Sequence, residues 1–381
     1  MLTEQEKGII KETVPVLQEK GTDITSYFYN RMFNQHPELR NMFNQTNQKQ
    51  GLQSTALAQS VLAAAMNIDD LTNILPVVKE IGHKHCALQV PAAGYDIVGE
   101  NLLAAIENVL GLESDDPILQ TWAKAYGEIA DVFIQVEKDI YNEMAWEDFQ
   151  PFTISKIETI SSDIKAFTVT SDKHDLSQFN AGQYITVDID NEKLPYRAKR
   201  HYSIVEGDKD HLTFAVKRDV TDEHEGEVSP ILHDEFKEGD TILLSAPVGV
   251  FGVVNEDKPQ LFIGSGVGVT PLISMYKQVA ATSPAVTFVQ NVVNADDVPY
   301  GEALKAIAED HEHVEHVLHD RQSAGRINAE TVQSYITDDT EIYVCGGTQF
   351  LESVINSLKA SGVDEAKIHF ESFKPKLAVA V

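Results

Sequence analysis

The stretch LPVVKEIGHKHCALQVPAAGY, from Leu75 to Tyr95, decides how the N-terminal region is read. Leu75, Val78, Ile81, His85 and Leu88 recur at three- and four-residue steps and make one stripe of an amphipathic helix. His85 lies on that stripe and is expected to face where its apolar neighbours face. His83, roughly 200° away around the helix, is expected to face elsewhere. A neutral imidazole aimed into an apolar pocket can ligate a metal, and a haem iron is one such acceptor. A solitary histidine on an apolar face is more often a hydrogen-bonded core residue, so the rest of the chain has to decide.

Helical spacing continues on both sides of this stretch. TDITSYFYNRMF, STALAQSVLAAAMNI, YDIVGENLLAAIENVL and DPILQTWAKAYGEIADVFIQVEKDIYNEM carry it, with HPELR and VPAAG as corners, so residues 1–146 are expected to be an all-α domain. After Trp146 the texture changes. Ile185, Val187 and Ile189 alternate with polar residues, as do Leu212, Phe214 and Val216, and Phe167 with Val169. That is the period of half-buried antiparallel strands, and with TILLSAPVG it predicts a small antiparallel β-barrel over residues 147–256. From Gln260 onward QLFIG, AVTFVQNV and EIYVCGG are continuous runs, the signature of strands buried on both faces. Helical stretches separate them. In FLESVINSLKASG, Leu351, Val354, Ile355 and Leu358 share one face and Gly362 is the expected stop. Residues 257–381 are therefore expected to form an α/β domain with a parallel sheet.

Composition narrows the partners. A chain of 381 residues exceeds a single core, and a formal charge of −29 repels nucleic acid and anionic membranes alike, so neither is expected to bind. No apolar run approaches the length of a membrane span. The N-terminus is charged from its fourth residue and lacks a signal-peptide apolar region. Cys86 and Cys345 are the only cysteines, which gives no disulfide framework and suits a reducing compartment. A cytoplasmic monomer is expected.

GSGVGVTP, Gly264 to Pro271, follows a buried strand and precedes a helical pattern. Its glycines would let the backbone approach a pyrophosphate, Thr270 could cap the helix, and Pro271 suits a first turn. The spacing departs from GxGxxG, because Val269 occupies the third glycine's place. CGG, Cys345 to Gly347, ends another buried strand, and parallel strands place such ends along one crevice. In the barrel region RHYSI, Arg200 to Ile204, sets a cation, a ring and a hydroxyl on one strand; these could clamp a diphosphate, stack on a flat ring and reach a ring nitrogen. It could equally be a strand with a polar edge. GEVS, Gly226 to Ser229, opens a short helical run whose N–H groups could receive the same diphosphate.

RxYS, then GxVS, GSGVGVTP and CGG, in that order behind a barrel texture, resemble the ferredoxin–NADP reductase family of FAD- and NAD(P)-binding modules. The resemblance implies that Tyr184, Arg200, Tyr202 and Ser203 bind FAD and that Gly226, Val228 and Ser229 hold its diphosphate. It further implies that Gly266, Gly268, Thr270, Cys345 and Gly346 shape the nicotinamide site and that Phe373 covers the flavin ring. With this module in place, Phe43 after the HPEL corner, Gln53 on the next helix and His85 are similar to the globin pattern. A globin joined to such a reductase resembles the flavohaemoglobins over essentially the whole chain. The resemblance makes His85 the proximal ligand of haem b, Tyr29 and Gln53 distal hydrogen-bond donors to dioxygen, and Phe43 a haem-packing ring. Tyr95 and Glu137 match the proximal pair that polarises the histidine.

Departures are few. Ser372 stands where many relatives have Cys, and Val269 where several have Gln. QNVVNADDVP offers two acids and no arginine beside the second buried strand, which favours NADH over NADPH, although Arg321 could fold back there. The implied activity is nitric oxide dioxygenation: electrons pass from NADH through FAD to haem, and nitric oxide and dioxygen become nitrate. Two rivals are a haem reductase or peroxidase acting on other acceptors, and a haem-based oxygen sensor or store.

Overall fold

The apolar spacing of the N-terminal region is realised as the helices α1 (Glu4–Glu12), α2 (Val14–Gln35), α3 (Gln45–Lys49), α4 (Leu52–Met66), α5 (Leu75–Ala87), α6 (Gly94–Leu110) and α7 (Pro117–Glu143). These come from a computed structural model that describes residues 1–221 and 224–375. Thr3 and Glu6 cap α1 reciprocally, Pro117 sits in the first turn of α7 behind the cap Asp116, and the corner HPELR forms a 3-10 turn at Pro37–Asn41. Ile24, Phe28, Met32, Ala65, Leu102, Ile106 and Trp122 join in one core drawn from α2, α4, α6 and α7. The chain divides into two compact units. The first holds Met1–Glu147 together with Asp190–Lys199; the second holds Asp148–Ile189 and Arg200–Lys374.

The second unit begins with β1 (Gln150–Thr159), β2 (Ile164–Thr170), β3 (Tyr184–Ile189), β4 (Ala198–Gly207) and β5 (His211–Lys217). A two-stranded sheet of β6 (Val220–Thr221) and β7 (His224–Glu225), the helix α8 (Ser229–Asp234) and β8 (Thr241–Leu244) follow. The long strands close a barrel in the order β1-β2-β5-β4-β3-β8. Phe167 faces Phe214 across the β2–β5 pair, the rings stacked 5.6 Å apart. The alternation read from β3 and β5 proves too weak a description. Every residue of β3 is buried, and so are Leu212 to Val216 of β5. Closure supplies the inner core, while Ala215 on the other face of β5 joins Ile164 and Val205 in a second core.

That second core is completed by an α/β layer: β9 (Gln260–Ser265), α9 (Val269–Val279), β10 (Val286–Val292), α10 (Gly301–Glu309), β11 (Val314–Asp320), α11 (Arg321–Ala324), α12 (Ala329–Val332), β12 (Glu341–Cys345), α13 (Thr348–Ala360) and β13 (Ile368–Glu371). The strands are parallel in the order β11-β10-β9-β12-β13. Phe262 points into the core shared with α9, whereas Leu261 and Ile263 join Val332, Leu351 and Val354 on the other face. The continuous apolar runs are thus strands covered on both sides. The connections run from β9 outward to β10 and β11, then return to β12 and β13. The order therefore reverses between β9 and β12, and that reversal opens a crevice at the carboxyl ends of these two strands. No helix among the described residues is long and apolar enough to cross a membrane. The expected third segment runs to Val381, and its last six positions lie outside the described residues.

Candidate functional site

In the helical unit, α5 presents two adjacent faces. Val78, Gly82 and Cys86 share a buried face, seated where a Cβ on Gly82 would meet Ile140 at 3.1 Å and Val136 at 3.3 Å. The stripe expected to be buried, Leu75, Ile81, His85 and Leu88, is only partly covered by protein apart from Val78, and the His85 side chain is 34% exposed. The stripe that carries His85 therefore lies beside the face that meets α7. Gly82 lets α5 approach α7 closely on that adjacent face.

His85 is nevertheless fixed. Its Nδ1 lies 2.6 Å from Glu137 Oε1 and 3.2 Å from the Tyr95 hydroxyl, and Tyr95 donates to the same Glu137 oxygen at 2.6 Å. A carboxylate only accepts, so Nδ1 carries the ring proton and Nε2 keeps its lone pair. Glu137 is 3% exposed, so its charge is compensated by these two donors rather than by water. Burial, followed by the Glu137 charge, holds the Tyr95 phenol far above the usual tyrosine range and keeps it a donor. Tyr126 donates to the Tyr95 carbonyl at 2.6 Å and Phe133 lies 6.2 Å from the His85 ring, both missed in the sequence. Tyr141 donates to the Val90 carbonyl and ties down the VPAAG corner. Cys86, next to the histidine, is buried, and burial and Glu137 push its thiol up to about 12.

Tyr29 and Phe43 meet edge to face at 5.8 Å, and Phe33 packs on both. Arg40 covers the Phe33 face at 4.7 Å. Among the described residues the Tyr29 hydroxyl has no hydrogen-bond partner, and burial keeps its phenol protonated. Gln53, one residue into α4, has a buried Oε1 with no partner. A single imidazole ligand with a free Nε2 and two unengaged polar groups fit a macrocycle that supplies its own metal donors. No cluster of three or more His, Cys, Asp or Glu able to hold a bare metal ion occurs among the described residues.

On the barrel, Arg200, Tyr202 and Ser203 come from the early part of β4, and Tyr184 starts β3. Tyr202 stacks on Phe214 at 5.7 Å, and burial raises its phenol. Ser203 is buried, and its hydroxyl has no hydrogen-bond partner among the described residues. Gly249, at φ +127, leaves 3.1 Å between an added Cβ and the Tyr184 ring, so the turn must be glycine to clear it. His201, absent from the sequence reading, lies 2.7 Å from Thr186 Oγ1 through its Nδ1. Arg200 Nη2 donates to Glu227 Oε2 at 2.8 Å. Val228 is buried, and Ser229 accepts the Asp219 N–H at 2.9 Å. The Gly226 N–H, expected to be offered to a diphosphate, is instead taken by the Asp219 carbonyl at 2.6 Å.

At the crevice the two glycine loops touch. A Cβ on Gly268 would lie 2.4 Å from the Cys345 carbonyl oxygen and 2.6 Å from Gly346 Cα, while Gly266 turns at φ +57. Thr270 is not the expected cap. It stands inside α9, whose cap is Gly268, and its hydroxyl donates to the Val267 carbonyl at 2.8 Å because a 3-10 turn at Gly266–Gly268 runs straight into the helix. Cys345 is buried and its thiol is held well above the usual range, first by burial and then by Glu371. Ser372 is buried, whereas Phe373 is 48% exposed. Arg321 directly follows Asp320, the register partner of Val292 at the end of β10, and is exposed. Arg321 thus opens α11, one residue past the end of the neighbouring strand β11.

Fold and site together define a globin combined with a flavin- and nicotinamide-binding oxidoreductase module. Residues 26–133 match the globin family, residues 151–252 the oxidoreductase FAD-binding domain and residues 262–355 the oxidoreductase NAD-binding domain. A flavohemoprotein of Bacillus subtilis (strain 168) is 39% identical over 402 residues, spanning 100% of this chain and 99% of its own. The crystal structure of a flavohemoglobin from Malassezia yamatoensis with bound FAD and heme has the same fold, with a TM-score of 0.87 at 21% identity over 98% of this chain and 99% of that one. The FAD/NAD-binding domain of a nitric oxide dioxygenase from Vibrio cholerae is 25% identical with a TM-score of 0.51, covering 59% of this chain and 98% of that one. The chain belongs to the flavohemoprotein family.

Proposed function

We propose that this oxidoreductase is an NADH-dependent nitric oxide dioxygenase. In this reading residues 1–146 are the haem domain, 147–256 the FAD domain and 257–381 the nicotinamide domain. The observation that carries it is the anionic clamp on His85: Glu137 and Tyr95 both engage its Nδ1. A hydrogen bond from imidazole to a buried carboxylate makes the other nitrogen more basic, which suits chemistry that pushes electron density toward dioxygen rather than merely storing it. When bound, NADH, FAD and haem supply hydride, its division into single electrons, and dioxygen activation. Each nitric oxide, with one dioxygen and one electron, gives one nitrate, so one NADH serves two turnovers.

The chain's own residues set the rest. Nε2 of His85 would hold the haem iron, Tyr29 and Gln53 would offer hydrogen bonds to dioxygen in the pocket, and Phe43 would pack on the ring. Arg200, Tyr202, Ser203 and Tyr184 hold and orient FAD, with Gly226, Val228 and Ser229 beside its diphosphate and Phe373 on its ring. Gly266, Gly268, Thr270, Cys345 and Gly346 shape the nicotinamide pocket. The acids of QNVVNADDVP favour NADH, and Arg321 limits that preference. A cytoplasmic monomer with nitric oxide and dioxygen as substrates completes the reading.

The test is to feed NADH and nitric oxide to the purified protein under air, with a Tyr29→Phe variant alongside. The wild type is expected to form nitrate in step with nitric oxide consumed. Tyr29→Phe keeps the ring and loses one donor to a polarised oxygen, a loss of about 1.5–3 kcal/mol, or roughly ten- to a hundredfold in oxygen retention. It is expected to release oxygen faster and form less nitrate while the flavin is still reduced normally. Full reduction without nitrate in the wild type would favour a reductase or peroxidase for other acceptors.

A further inference from the structure

The flavin-binding strand carries a contact that the reading above leaves unused. Arg200 Nη2 donates to Glu227 Oε2 at 2.8 Å, and both side chains are largely withdrawn from water, 17% and 19% exposed. An ion pair so placed is screened far less than a surface pair, and separating it leaves two poorly hydrated charges. Glu227 is the second residue of the GEVS segment, the same segment expected beside the flavin diphosphate. A second carboxylate, that of Asp219, lies against Gly226, where an added Cβ would be 3.1 Å from Asp219 Oδ2. The cation assigned to the diphosphate is therefore already engaged by a carboxylate of the chain, and a second carboxylate lies beside the same segment.

We propose that Glu227 sets the affinity for FAD by competing with the cofactor's diphosphate for Arg200, so that the protein holds FAD less tightly than its fold allows. The proposal rests on Arg200 being a diphosphate ligand. A diphosphate that draws Arg200 from Glu227 leaves that carboxylate without its partner, and one that shares Arg200 brings like charges together; both disfavour the bound state. Riboflavin has no phosphate and is indifferent to the pair. Glu227 thereby acts as a built-in release device for the adenine-nucleotide end of the flavin.

The experiment follows FAD release from the full-length holoenzyme on dilution, read by flavin fluorescence, and separately the binding of riboflavin after FAD is removed. Haem absorbance reports that each variant is folded. Glu227→Gln, and Glu227→Ala as a second variant, are expected to hold FAD about tenfold more tightly, with riboflavin binding unchanged. Equal or faster FAD release in both variants overturns the proposal, because Glu227 would then be positioning Arg200 for the phosphates. Tighter riboflavin binding also overturns it, because the effect would not pass through the diphosphate. Arg200→Ala tests the underlying reading on its own: FAD held as firmly as in the wild type would remove Arg200 from the cofactor site.

Discussion

At the scale of single residues, the site turns on one carboxylate. Glu137 is buried and accepts from both His85 and Tyr95, so its charge is both stabilised and directed at the imidazole. Glu137→Gln keeps the shape and replaces a charge-assisted bond with a neutral one. Haem content and flavin reduction by NADH should hold. The iron's midpoint potential should rise, because a less anionic ligand stabilises the oxidised metal less, and nitrate formation should fall about 10- to 100-fold. A potentiometric titration beside the nitrate assay checks this; an unmoved potential would make Glu137 an ordinary satisfied core acid. His85 could be singled out in the sequence because it breaks an apolar stripe. Glu137 could not, because it stands 52 residues away and looks like one more charge on a long helix. Only the family pattern lifted it.

At the scale of elements, the loops after β9 and β12 approach each other closely in the α/β layer. Gly268→Ala puts a methyl 2.4 Å from the Cys345 carbonyl, a backbone atom that cannot rotate away. It should cost about 1–3 kcal/mol of stability and weaken NADH binding together, read as a lower Tm and a higher KM for NADH. Gly347→Ala, in the facing loop two residues past Cys345, meets nothing within 4 Å at an ordinary backbone angle and should change stability by less than about 0.5 kcal/mol. Equal effects in the two variants would mean that the loops part freely and form no fixed crevice. The glycine spacing in GSGVGVTP was legible as a turn at a strand end. Its partner in CGG was legible only as a second such turn, since strand order, not sequence distance, brings them together.

For the whole molecule, the helical unit and the second unit each have their own apolar core. Loss of the haem ligand should therefore leave the other unit standing. His85→Ala is expected to purify without haem but with FAD, still reducible by NADH, whereas His83→Ala should keep normal haem content. Absorbance of the two variants at haem and flavin wavelengths decides it. Haem loss in His83→Ala with retention in His85→Ala would reverse the assignment of the proximal ligand.

The sequence by itself determined the three textures, because helical spacing, two-residue alternation and continuous apolar runs are local patterns that burial imposes directly. It also placed the glycine turns and the RHYSI strand. It did not determine which face of α5 meets α7, because that depends on Gly82 admitting the neighbour. Nor did it show that β5 is covered on both sides, since its outer-face Ala215 joins a core with α9, far along the chain. The carboxylate partners Glu137 of His85 and Glu227 of Arg200 lie 52 and 27 residues from them. Charges paired over such separations leave no periodic trace in a sequence, and only the tertiary structure joined them.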